Sequence, residues 1–302
     1  MSAAGFRVEH IDYTAGLDDL RHVRETVFVK EQQVPIEEEW DALDPLCHHV
    51  IARDDTGQPI GTGRLTPERK IGRMAVLRDW RGRGVGDALL SALIDAARQQ
   101  QWPEVSLHAQ VSAEAFYSRH GFLPYGERFW EAGIEHQSMR RRLGGAMAIE
   151  HQQAAVAIAI ALISQASRTV LIYTRELDPG LFDAPRVLDA LRRFATRTRG
   201  GEVHILLQDA ATPQHTLAPL IGLAQRLPSV FAFREVRDPV DRAYPSASIV
   251  NDRGGYYFRP LGHRFDGEAE LENPGRARQL REEFGRVWER SRHCTEYRAL
   301  GL

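Results

Sequence analysis

The chain has 302 residues, of which 43% are hydrophobic and 26% charged, and its formal net charge is −2 at neutral pH. This length predicts two domains, the composition excludes a wholly disordered chain, and the near-neutral balance offers no basic field for nucleic acid or a membrane surface. Cys47 and Cys294, the two cysteines, are too few for a disulfide framework or a structural zinc site. No apolar segment follows a basic start in residues 1–9, and the longest apolar run, residues 154–163, is about half of what a bilayer needs. A cytoplasmic protein with no membrane segment and no metal site is expected.

In chain order, the pattern predicts a strand over residues 6–13, a helix over 17–31 and an irregular acidic stretch over 34–44. Strands follow at 49–54, 60–65 and 70–77. A glycine-rich turn at 81–86 opens a helix to about residue 100, in which Leu89, Leu90, Leu93, Ile94 and Ala97 recur at helical spacing. A strand at 104–110, a short helix at 113–119 and strands at 123–130 and 136–142 complete the half. Strands first, then mixed elements, indicate an α+β sheet. Residues 1–150 carry a net charge of −5 and the remainder +3. The pair Gly144-Gly145 marks a linker, so the domains are set at 1–146 and 147–302.

The sharpest chemical signal is Arg81-Gly82-Arg83-Gly84-Val85-Gly86, between a strand and an apolar helix. Glycines let backbone N–H groups converge on an anion, and a helix N-terminus adds partial positive charge. No lysine makes it a P-loop. A dinucleotide fingerprint needs glycine where Asp87 or Leu89 stands. The remaining pattern is R/Q-x-x-G-x-G/A, matched by Arg81, Gly84 and Gly86.

With this motif, the strand Arg73-Met74-Ala75-Val76 and the block Ala115-Phe116-Tyr117-Ser118-Arg119-His120-Gly121-Phe122, the chain resembles the GNAT family of acyl-CoA-dependent N-acyltransferases. The stretches Val27–Pro35, with Glu39, Asp41, Asp44 and His49, and Glu131–Met139 resemble its small bacterial ElaA-like branch. The resemblance covers residues 6–143. It implies a GNAT fold, a mixed and mostly antiparallel sheet flanked by helices, with acetyl-CoA as co-substrate. It places Met74, Ala75, Val76, Arg81, Gly82, Arg83, Gly84, Val85, Gly86 and Tyr117 against coenzyme A, and implies direct attack by an amine in a ternary complex.

Tyr117 is the candidate general acid. A phenol with a pKa near 10 stays protonated at neutral pH and can donate to a departing thiolate. The alternative is a tyrosine that packs beside Phe116 with its hydroxyl in water. Arg83 stands equally as a phosphate ligand and as a solvated turn residue. Candidate bases are Glu31, Glu38, Glu39, Asp41, Asp44, His49 and His136, of which Glu31 and His136 fall in the ElaA-like stretches. The acidic run reads either as a cation-attracting acceptor mouth or as a solvated loop. Cys47 reads as a small buried hydrophobe.

In the second half, helix and strand alternate from residue 149: strands at 169–173, 202–208, 230–236, 246–251 and 255–258, and helices at 181–198, 217–226 and 274–292. This predicts a layered α/β domain. Its order resembles half of a phospholipase D-like domain, yet H-x-K-x4-D is absent. With Asp252 as the aspartate, Pro245 and Ala247 stand at the histidine and lysine positions. The domain is expected to be non-catalytic and to recruit, regulate or form a homodimer. The basic cluster Arg192, Arg193, Arg197 and Arg199 reads as a solvated helix face or a phosphate-binding patch. The rival functions are an acyl-CoA sensor without turnover and a phosphodiesterase or nuclease acting through the second half.

Overall fold

The computed structural model describes residues 5–216 and 218–297, Gln214 by its backbone. Two compact units emerge: residues up to Val111 together with Tyr125–Leu143, and Ser112–Pro124 together with residues from Gly144 onward.

The first unit is a sheet in the order β1 (Phe6–Ile11), β2 (His48–Asp54), β3 (Pro59–Leu65), β4 (Lys70–Val76), β5 (Glu104–Gln110) and a long strand Ile134–Arg142. All neighbours are antiparallel except β4 and β5. Helix α1 (Tyr13–Arg24) starts earlier than the pattern predicts, because the Asp12 side chain accepts from the Ala15 N–H as an N-cap. It runs on through a π-helical segment, Glu25–Glu31. Val23 and Val27 bury against Ala75 of β4. Helix α2 (Val85–Gln99) buries Leu89, Leu90, Leu93, Ile94 and Ala97, the predicted apolar face. The expected strand 123–130 is broken: Phe129–Glu131 forms a hairpin with Ile134–Arg142, and Gly126 at φ +66 lies in the interruption.

The second unit holds a sheet in the order Arg292–His293, Phe231–Glu235, Glu202–Leu207, Thr169–Thr174, Ala247–Asn251, Tyr256–Arg259, Gly267–Glu270 and Met147–Ile149. Thr169–Thr174, Glu202–Leu207 and Phe231–Glu235 are parallel; the other neighbours are antiparallel. The helix expected from residue 149 begins at Gln152, since Met147–Ile149 pairs with Gly267–Ala269. From Ala154 to Ile163 only Val156 is not buried. A helix apolar on all sides needs cover on all sides. Part of that cover is the short helix Glu114–Arg119, while Leu123 joins the same core and Glu114 accepts from Arg186 Nη1 at 2.7 Å. Residues 112–124, assigned by sequence to the first domain, therefore pack with the second. Leu217, where a helix is expected to start, lies outside the described residues; the helix spans Pro219–Arg226.

Candidate functional site

Strands β4 and β5 pair only at Lys70↔Ser106 and Ile71↔Leu107, and then part. The cause is a β-bulge. Thr62 pairs with Ala75 and Arg64 with Gly72, so Gly63 alone faces both Arg73 and Met74. Arg73 takes φ +50, and a Cβ on Gly63 would stand 2.6 Å from Met74 Sδ. The other edge of β5 stays paired with Ile134–Arg142 as far as Gln110↔His136. A wedge thus opens toward Val76 and Gln110. The Leu77 N–H bonds back to Ile60, while the Val76 carbonyl accepts from Arg81 Nε at 2.9 Å. Because N–H and C=O of one strand residue point to the same side, the Val76 N–H also faces away from β3.

Beside the wedge lies the glycine turn. Gly82 has φ +73 and Gly84 φ +86, and a Cβ at either would meet nothing within 4 Å. Gly84 is the N-cap of α2 and offers no side chain to the first-turn N–H groups, which therefore face outward at the positive end of the helix. The Arg83 guanidinium stacks 5.0 Å over the Trp80 ring. The side chains of Ala75 and Val85 are buried in the core, so only their backbones can reach a ligand.

Two consecutive residues span the mouth of the wedge. Arg81 Nη1 and Nη2 donate to Glu31 Oε1 and Oε2 at 2.5 and 2.7 Å. Gln110 Nε2 donates to Gln32 Oε1 at 2.9 Å. Arg81 holds the Glu31 carboxyl below its ordinary value chiefly through the hydrogen bond. On the strand beside β5, His136 lies directly across from Gln110 and shares its face of the sheet. Its Nδ1 lies 2.9 Å from the Ile134 carbonyl, which only accepts, so Nδ1 is the donor and Nε2 is the accepting nitrogen of the neutral tautomer. Phe129 stacks on the ring at 5.8 Å.

The acidic run divides: Glu37, Glu38 and Asp41 are exposed, as a solvated loop would have them, whereas Glu39 and Asp44 are not. Glu39 and Asp44 are 2% and 0% exposed. Arg24 Nε donates to Glu39 Oε1 at 2.5 Å and its Nη1 to Asp44 Oδ1 at 2.8 Å. Arg64 donates to Asp44 Oδ1 at 2.6 Å and to Asp41 Oδ2 at 2.5 Å. Arg73, on the bulge, donates to the carbonyls of Glu38 and Glu39 at 3.0 Å. His49 Nε2 donates to the Asp44 carbonyl at 2.7 Å. Of the candidate bases, Glu39, Asp41, Asp44 and His49 are consumed in a network that fastens the 36–46 loop to β4, while the Glu38 side chain stays exposed and only its carbonyl takes part. Burial lifts the Glu39 carboxyl above its usual range. It works the same way on Asp44, but Arg24 and Arg64 overcome it and leave Asp44 depressed. Three arginines distant in sequence make this network, and no local motif announces it. Cys47, expected to be buried, is half-buried: its thiol is pushed up to about 11 by desolvation, and its Sγ donates to the Leu43 carbonyl.

Tyr117 stands in the second unit on Glu114–Arg119. It is buried, with Phe116 and Phe122 edge-on at 5.0 and 5.9 Å, and burial pushes its phenol up to about 12. In the same unit Asp252 is structural. It accepts from the Ser167 N–H, the Ser167 hydroxyl and the Arg168 N–H, each at 2.8 Å. Of the basic cluster, Arg192 pairs with Asp189, and Arg197 caps the carbonyls of Ser164 and Ala166. No described helix is long and apolar enough to cross a membrane.

A wedged sheet beside a glycine turn that opens a helix defines an acyltransferase-type fold of the GNAT class. Residues 17–143 match the acetyltransferase (GNAT) domain family. The uncharacterized N-acetyltransferase YjcF of Bacillus subtilis is 40% identical over 129 residues, 41% of this chain and 91% of that protein. The uncharacterized protein YyaT of the same species is 30% identical, over 45% of this chain and 95% of its own length. Escherichia coli ElaA, a solved structure, is 27% identical over 45% of this chain and 99% of its own, with a TM-score of 0.41. Through its N-terminal half the chain belongs to the GNAT acetyltransferase family. Residues 151–300 match a domain of unknown function, DUF7931, and not a phospholipase D-like family. The resemblance read there from element order is therefore not supported.

Proposed function

We propose that the protein transfers an acetyl group from acetyl-CoA to the amine of an acceptor, by direct attack with both substrates bound. The observation that carries this reading is the bulge-driven parting of β4 from β5 directly before the Arg81–Gly86 turn. The fit to coenzyme A is physical. Open space over Gly82 and Gly84 and uncapped N–H groups at the head of α2 suit a pyrophosphate. The outward Val76 N–H suits an extended amide-bearing arm laid along β4 as an added strand would lie. Acetyl-CoA, when bound, supplies an acyl group activated as a thioester.

The residues then divide the work. The Val76 N–H holds the arm, and the wedge fixes two reactants at attack distance, the largest entropic contribution to such a reaction. Arg81 is oriented toward the turn by Glu31, whose two oxygens are both engaged; Glu31 is therefore a positioning residue and not the base. His136, with Nε2 free to accept, is the better base of the two. Tyr117, at the motif position of the family's acid, donates its hydroxyl to the departing sulfur. A phenol raised to about 12 acts there mainly as a hydrogen-bond donor, since full transfer to a thiolate of pKa near 8.5 is uphill. The domain from residue 147 onward serves a non-catalytic role, in recruitment, regulation or dimerisation. Steady-state release of free CoA thiol from acetyl-CoA with a panel of primary amines tests the proposal. Amine-dependent release that falls at least tenfold in His136→Gln supports it, and release no faster than solvent hydrolysis with every amine contradicts it.

A further inference from the structure

A cavity of about 470 Å³ opens in the second unit, lined by Arg175, Glu176, Asp209, Arg242, Tyr244 and His263 among others. Its position in the fold is specific. Arg175 follows the end of Thr169–Thr174, and Asp209 follows shortly after the end of Glu202–Leu207, its parallel neighbour. Tyr244 precedes Ala247–Asn251, the antiparallel strand on the other side of Thr169–Thr174. The cavity thus lies beyond the carboxyl ends of the parallel strands, where the sheet changes from parallel to antiparallel. Open α/β sheets place their ligands at such junctions.

The walls are held by polar contacts that do not depend on any ligand. Arg259 and Asp178, both buried, form an ion pair, and Arg259 Nη1 also donates to the Gly262 carbonyl at 3.0 Å. That ties the loop after Arg175 to the loop that carries His263. Gln208 Nε2 donates to the Tyr244 carbonyl at 2.5 Å. The Tyr173 hydroxyl donates to the Asp241 carbonyl at 3.0 Å, and Arg290 clamps the Asp241 carboxylate with two bonds of 2.6 Å, which fixes the segment bearing Arg242.

Against this rigid frame three charges are left over. Among the described residues, the side chains of Arg175, Glu176 and Arg242 make no hydrogen bond or ion pair, while Asp209 is taken up by the Ala211 and Thr212 N–H groups and the Thr212 hydroxyl. The two arginines and two carboxylates balance, so a bare anion gains little net attraction here. A ligand with one group of each sign satisfies both. A guanidinium fork suits a carboxylate, and a lone carboxylate suits an ammonium. We propose that this cavity binds a small zwitterion, a free α-amino acid, with its carboxylate on Arg175 and Arg242 and its ammonium on Glu176. The proposal does not depend on the function proposed for the first unit.

The test is isothermal titration of the full-length protein with each of the twenty amino acids, with the N-acetylated form and the amide of the tightest binder, and with inorganic phosphate. The expected result is saturable binding of at least one free amino acid, weakened tenfold or more in its N-acetylated form and in its amide. Arg175→Ala and Glu176→Gln are each expected to weaken it by a similar factor with unchanged circular dichroism. Gly84→Glu, in the other unit, is expected to leave it unaltered. Absence of binding by every amino acid overturns the proposal. So does phosphate binding as tight as the best amino acid, or binding indifferent to both cavity variants, which would place the ligand elsewhere.

Discussion

Glu31 and Arg81, fifty positions apart, meet in a two-pronged ion pair of 2.5 and 2.7 Å at the edge of the glycine turn, while the next residue, Gln32, is bonded to Gln110 at the end of β5. One dipeptide therefore spans the mouth of the wedge, and it does so with a carboxylate that has no free oxygen. Both partners are partly exposed, so the pair contributes about 0.2–1 kcal/mol, equivalent to no more than about fivefold in an equilibrium. Glu31→Gln is expected to raise the KM for acetyl-CoA about twofold to fivefold with kcat and its pH profile unchanged. Steady-state kinetics across pH check this. A kcat loss of a hundredfold would instead make Glu31 the base.

Tyr117→Phe removes a single oxygen from a buried ring. The predicted effect is a fall in kcat of about a hundredfold, the scale of losing one hydrogen-bond donor to a developing charge, with little change in KM for acetyl-CoA. Since burial pushes the phenol up to about 12, the hydroxyl keeps its proton throughout the range from pH 6 to 10. Any alkaline limb of the rate profile in that range must therefore survive the substitution. Disappearance of such a limb in Tyr117→Phe would show that the phenol titrates there after all.

The network beneath the 36–46 loop makes a prediction about acid. Asp41, through the hydrogen bond from Arg64, and Asp44, whose burial is outweighed by Arg24 and Arg64, both titrate below their ordinary value of 3.8. A carboxyl depressed in the folded state stabilises it above the unfolded pKa, and that contribution is lost as pH falls through the folded value. Glu39, raised by burial, has the opposite sign: its contribution is present below 4.5 and is lost as pH rises through its folded value. The two aspartates predict that the stability of the first unit declines below about pH 4. Asp44→Asn removes the carboxylate shared by two buried guanidiniums, which keep Glu39 and Asp41, and is expected to cost about 1–3 kcal/mol at neutral pH, and to flatten the acid decline. Urea unfolding at pH 7 and pH 3.5 measures both effects. An unaltered acid slope in the variant would contradict the assignment.

Asp252 separates a structural role from a hydrolytic one. Its substitution by alanine removes three hydrogen bonds from the Ser167–Arg168 turn and is expected to lower stability by about 1–2 kcal/mol without altering acetyl transfer. Thermal unfolding and the CoA-release assay, run on the same preparation, check the pair of outcomes. Loss of a phosphodiesterase activity in this variant would revive the reading in which Asp252 is catalytic.

Much of the first unit was legible because its signals are local. Positive-φ glycines at 82 and 84 and the apolar spacing of α2 can be read within a few residues. The bulge at Arg73 and Met74 cannot, since it depends on what Gly63 leaves room for on another strand. The carboxylates of 39–44 read as solvent-facing for the same reason: their partners Arg24, Arg64 and Arg73 come from α1, β3 and β4. The glycine pair at 144–145 is a local signal. The pattern did not reveal that the apolar helix after it needs Glu114–Arg119 as cover. Short strands such as Met147–Ile149 and Gly267–Glu270 escaped notice because alternation over three or four residues is too brief to register.

The central claim is that the parted strand β4 and the Arg81–Gly86 turn hold coenzyme A. Calorimetric titration of the full-length protein with acetyl-CoA tests it most directly, with Gly84→Glu as the control. The added carboxylate places negative charge over the head of α2 while meeting no neighbouring atom at its Cβ, although φ +86 costs about 1–2 kcal/mol of backbone strain. Micromolar one-to-one binding, abolished in a Gly84→Glu protein of unchanged circular dichroism, is the predicted result. Failure of the folded wild-type protein to bind acetyl-CoA, or equal binding by the variant, would contradict the account.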